Sequence, residues 1–103
     1  MTLQETVAEK LRTLLQRRRP TDLSDLALVL GEYGGRLERA HIRALALKKF
    51  ALVKQGDRRA RIEVNVEDMR VAYEQTIPGL APDAPSFAEA QKLILDALPT
   101  LLP

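Results

Sequence analysis

Most of the chemistry this sequence offers lies near its amino-terminal end. The residues are Lys10, the run Arg17-Arg18-Arg19, Asp22 and Asp25. Asp22 and Asp25 are three apart, so on one helix they occupy neighbouring positions of one face. Glu5, Glu9 and Lys10 lie on the segment before the arginines. If the two segments form an antiparallel helical hairpin, a lysine and a carboxylate meet. Lysine contacts phosphate as a point charge, and a carboxylate binds Mg²⁺ or takes a proton. Surface lysines and aspartates in a first helical turn are also common structural features, so the residues alone leave a purely structural role open.

Other chemistries are poorly served. The 103 residues contain no cysteine and one histidine, which excludes a disulfide scaffold, a cysteine-ligated metal and a multi-histidine centre; no metal site is expected. There is no phosphate loop, no G-x-G-x-x-G and no H-E-x-x-H. Gly31 to Gly35 lacks a following lysine and reads as a helix break. His41 falls near an apolar stripe, where a lone histidine is usually a packing residue. Charge is divided unevenly: residues 1–61 hold 14 Lys+Arg against 7 Asp+Glu, and residues 62–103 hold 2 against 7. The basic part can attract phosphates, with Arg17, Arg18, Arg19, Arg58, Arg59 and Arg61 as candidate contacts to RNA or nucleotide. Equally, the two parts can complement each other in the fold. No apolar run approaches the ~20 residues of a membrane span, and Met1–Glu5 lacks the basic start and apolar stretch of a signal peptide, so a cytoplasmic location is expected.

These residues need elements to position them. Leucine and alanine dominate and aromatics make up 4% of the chain, which leans helical. The expectation is one all-α domain over residues 1–103, a bundle of about five helices with one short extended segment near 60–66. Leu3, Val7, Leu11, Leu14 and Leu15 make an apolar stripe on a first helix, opened by a Thr2/Glu5 capping box. Pro20 separates it from a second helix starting at Thr21 or Asp22, with Leu23, Leu26, Ala27 and Leu30 inward. Gly31, Gly34 and Gly35 break that helix through a positive-φ turn. A third helix is expected from about Arg36 to Val53, with Leu37, Ala40, His41, Ala44, Leu45, Lys48 and Leu52 at helical spacing, then a polar turn over 54–59. Ile62, Val64 and Val66 alternate with charged and polar residues, a strand pattern. Asn65 then caps a fourth helix, about Val66 to Ile77, ended by Pro78-Gly79. Ser86 and Glu89 open a last helix with Phe87, Ala90, Ile94, Ala97, Leu98 and Leu101 inward.

The stretch EKLRTLLQRRRPTDLSDLALVL, residues 9–30, resembles the C-terminal domain of the AbiEii/AbiGii nucleotidyltransferase toxins of abortive-infection type IV systems. Glu5, Ala8, Lys10 and Leu11 match that family's first helical motif, and Thr21-Asp22-Leu23-Ser24-Asp25-Leu26 its second. KKFALVKQG, residues 48–56, is similar to a later segment, and the layout of the last two helices is similar too. The resemblance implies that Lys10 contacts a triphosphate, that Asp22 is a catalytic-site carboxylate, and that Asp25 and Glu5 support them. Thr21 stands where the family usually has arginine. The family's glycine-serine and paired metal-binding aspartates are absent from these residues, and two-metal transfer needs them. The expectation is therefore a domain inactive alone and without a cofactor of its own. With a catalytic partner subunit supplied in trans it would take Mg²⁺ and a nucleoside triphosphate, in a toxin–antitoxin or phage-defence setting.

Two other readings compete. Three helices, a basic turn and a strand are also the order of a winged helix, in which the third helix reads a groove and Arg58, Arg59 and Arg61 touch nucleic-acid backbone. Amphipathic helices ending in Leu98, Leu101 and Leu102 suit an interaction or homo-oligomerisation domain.

Overall fold

The computed structural model describes residues 2–50 and 58–102. Within them lie α1 (Leu3–Gln16), α2 (Pro20–Tyr33), a short 3₁₀ turn (Gly34–Arg36), α3 (Arg39–Lys49), α4 (Arg58–Asp68), α5 (Arg70–Leu80) and α6 (Phe87–Leu101). The described residues contain no strand. The fold is all-α, with six α-helices among the described residues.

The core follows from the stripes. On α1, Val7, Leu11, Leu14 and Leu15 are buried, and on α6 so are Phe87, Ala90, Ile94, Ala97, Leu98 and Leu101. α1 packs on α2, α3 and α4, whereas α6 packs on α2, α3, α4 and α5, so these two helices organise the bundle. Each starts on a hydroxyl cap: Thr2 accepts from the Glu5 N–H and Ser86 from the Glu89 N–H. Such a cap satisfies one otherwise unpaired donor, worth about 1 kcal/mol. Leu98, Leu101 and Leu102 lie in the molecule's own core, so the leucine-rich end offers no apolar docking face.

Four expectations need correction. Residues 60–66 are helical, not extended. Ile62, Asn65, Val66 and Met69 are buried at helical spacing, while Val64, which a strand would place beside Ile62 and Val66, is 58% exposed. The helical period therefore overrides the short alternation, and the winged-helix reading loses its wing. Second, the helix expected over 66–77 is two helices, α4 and α5, parted at Met69. Ala72 faces solvent, and Pro78 and Gly79 lie inside the last turn of α5. A proline there removes one bond near a terminus, which the helix tolerates better than a break in its middle.

Third, Gly31 does not end α2. The helix runs on to Tyr33 and the turn is 3₁₀, with no residue at positive φ. Fourth, α3 is shorter than expected, and its buried line is Ile42, Ala46 and Phe50. That register turns Ala40, His41, Ala44 and Lys48 outward. His41 is half-exposed, 3.8 Å from Glu38. Leu52 and most of the polar turn, residues 54–57, lie outside the described residues.

Candidate functional site

α1 ends when Arg17 turns extended, its N–H still donating to Thr13 O at 2.8 Å. Arg17, Arg18 and Arg19 cross to Pro20, which takes the first position of α2, where its missing N–H costs nothing. This reversal lays α2 against α1 and brings Asp22 and Asp25 opposite Lys10. Lys10 Nζ donates to Asp22 Oδ1 and to Asp25 Oδ2, each at 3.1 Å. Arg17 Nε donates to the second Asp22 oxygen at 3.0 Å. Asp22 also sits in the first turn of α2, where the helix dipole favours an anion.

The electrostatics follow from burial and partners. The Asp22 side chain is only 6% exposed. Burial pushes its carboxyl up, but the hydrogen bonds from Lys10 and Arg17 outweigh that and hold it below the ordinary aspartate range. Burial pushes Lys10 down, and the bonds to Asp22 and Asp25 overcome it, so its ammonium is held above the usual lysine range. A lysine has three N–H donors, and two are committed here. The site thus presents a charged lysine fixed in place, with one donor left to offer.

A second ionic group lies on the same helix. Glu9 accepts from Arg12 Nε and from Lys49 Nζ of α3, both at 3.0 Å. The Arg12 hydrogen bond is the main cause that takes the Glu9 carboxyl down to about 2, against opposing burial and with help from Lys49.

The other candidates are dispersed. Glu5 belongs to the α1 cap, its carboxylate accepting from the Thr2 hydroxyl at 3.2 Å, five residues before Lys10. Arg18 donates to Asn65 Oδ1 at 3.3 Å and pairs with Asp68 at 3.4 Å, both on α4. Arg19 is exposed and makes no ion pair among the described residues. Arg58 lies over the Phe50 ring and donates to Phe50 O at 3.3 Å. Arg59 and Arg61 face solvent on α4. Of the triple arginine, Arg18 meets the later half of α4 at Asn65 and Asp68, and Arg58 lies ten residues or roughly 15 Å of helix before Asp68.

Sequence reasoning missed the real task of Asn65. It is buried inside α4, and its amide donates to Leu14 O at 2.8 Å and Leu15 O at 3.2 Å. Those carbonyls belong to the last turn of α1, where intrahelical donors run out. A readable signal existed: a polar residue sits on the buried stripe between Ile62 and Met69.

The model for the nucleotidyl transferase AbiEii toxin, of type IV toxin–antitoxin systems, matches residues 1–96. The chain belongs to this AbiEii family. Neither a curated protein nor a solved structure matches it. The family match covers the whole hairpin, so Lys10, Arg17, Asp22 and Asp25 all lie within the AbiEii region. Among the described residues of this AbiEii-family chain, no three carboxylate, histidine or cysteine side chains come together to hold a metal ion. Asp22 and Asp25 are already engaged by cations, so these residues do not fit a metal by themselves.

Proposed function

We propose that the α1–α2 hairpin is the nucleotide side of an AbiEii-type transferase site. Lys10 contacts the triphosphate, Asp22 serves as a carboxylate of the catalytic site, and Asp25 supports them. The observation that carries the reading is the Lys10–Asp22 contact, made by the two residues that the family resemblance singles out. Arg17 fixes the second Asp22 oxygen and so holds the carboxylate at a set angle to the ammonium. The carboxylates that bind Mg²⁺ are supplied from outside these 103 residues, by a partner subunit or by further residues of a longer chain. Residues 1–103 alone do not transfer nucleotides.

Titration of nucleoside triphosphates against wild type and Lys10→Ala at two salt concentrations tests the site. The reading expects weaker triphosphate binding in the variant, with binding to duplex DNA unchanged. Equal triphosphate binding by both proteins would remove Lys10 from the site. Label transfer from a nucleoside triphosphate to transfer RNA by these residues alone, with Mg²⁺, would overturn the claim of inactivity.

A further inference from the structure

The two carboxylates that hold Lys10 are not equivalent. Asp22 is 6% exposed and shared with Arg17, whereas Asp25 is 53% exposed. Lys10 is the one ion-pair partner of Asp25 among the described residues. Pulling Lys10 from Asp22 strands a buried carboxylate on one remaining cation, and breaking a buried pair is costly. Pulling it from Asp25 returns that carboxylate to water and forfeits only an exposed pair, which is weak. An anion arriving at Lys10 therefore meets one fixed carboxylate and one exchangeable one.

We infer that Asp25 is an internal competitor for the Lys10 ammonium, exchanged for a phosphate oxygen when a triphosphate binds, while Asp22 stays in place. The inference rests on the reading of Lys10 as the phosphate contact and gives that site a regulator within the same helix turn. With Asp25 engaged, Lys10 and Arg17 are balanced by two aspartates and the cluster has no net charge. With Asp25 released, its own negative charge still lies beside the incoming phosphate. Asp25 lowers affinity both ways, first by holding one of the Lys10 donors and neutralising the ammonium, and then by repelling the ligand.

The experiment is calorimetric titration with inorganic triphosphate, without Mg²⁺ and at low salt. The proteins are wild type, Asp25→Asn, Asp25→Ser, Lys10→Gln and Lys10→Gln/Asp25→Asn. Both Asp25 variants should bind about three- to tenfold tighter than wild type, the size expected when an exposed pair and one like charge are removed. The gain should vanish in the Lys10→Gln background. If Lys10→Gln weakens binding but neither Asp25 variant improves it, the competitor role is overturned and Lys10 remains the phosphate contact. If Lys10→Gln binds as well as wild type, the phosphate-contact reading fails and the competitor role falls with it. Absence of binding by wild type and both Asp25 variants overturns both.

Discussion

Two places where the chain doubles back are held by opposite means. The α1–α2 reversal is fixed by charge: Lys10, Arg17, Asp22 and Asp25 bridge it. The α5–α6 reversal is fixed by rings. Tyr73 and Phe87 meet edge to face with centroids 5.7 Å apart, the Tyr73 hydroxyl donates to Pro85 O at 2.6 Å, and Arg70 covers the Phe87 ring at 4.6 Å. The aromatic joint depends little on salt or pH, because its strength is buried area and shape. The ionic joint depends on both, and it keeps polar groups within reach of a ligand. The division suggests why the basic half carries the candidate site and the other half serves as a brace.

The contrast can be broken at its strongest point first. Phe87→Ala should cost about 3 kcal/mol, the usual size for truncating a buried ring, and urea unfolding at low and high salt should give the same loss. Lys10→Met leaves the buried Asp22 with Arg17 alone, and a loss of about 2 kcal/mol is expected, below the range for fully buried pairs because Lys10 is itself 25% exposed. This loss has a pH signature. The Asp22 carboxyl is depressed in the fold, so its contribution is present above its unfolded value near 4 and disappears as pH falls through the folded one. Lys10 is raised, so its contribution holds below its unfolded value and fades as pH rises through the folded one. Melts of both proteins from neutral pH into acid should therefore converge.

Smaller effects sharpen the picture. Asn65→Ala should lose about 1–2 kcal/mol, because two carbonyls at the end of α1 lose their donor. Salt should change that value less than it changes the Lys10 pair, since the bonds to Leu14 O and Leu15 O join neutral groups. Glu9→Gln should cost less than about 1 kcal/mol at pH 7, given its partial exposure. With its folded carboxyl at about 2, the difference from wild type should shrink between pH 4 and 2. Val64→Lys should change stability by less than about 0.5 kcal/mol, since Val64 points outward on a helix; a larger loss would bring back the extended reading of residues 60–66.

What the sequence revealed depended on the length and purity of each pattern. α1 and α6 each carry several leucine turns and a hydroxyl cap, so existence, start and buried face were all readable. α3 was misaligned because Ala40, Ala44 and Leu45 offer an apolar line as good as Ile42, Ala46 and Phe50; only packing against α1 and α6 selects between them. α4 was hidden because Ile62, Val64 and Val66 satisfy a period of two while the helical stripe contains a polar member, Asn65. The meeting of Lys10 with Asp22 was foreseeable from the turn at Pro20. The engagement of Arg18 by Asn65 and Asp68 was not, since it depends on where α4 lies.

The Asn65 tie has a consequence for the order of events. It joins residues 51 and 50 positions apart in the chain. Lys10 and Asp22 are made before Asn65, and the end of α1 lacks this donor until the polypeptide past residue 65 has been made and α4 has docked. Local contacts close quickly and distant ones wait for loop closure. The hairpin's own residues are thus made before their support is, and the end of α1 gains that support only once α4 has docked.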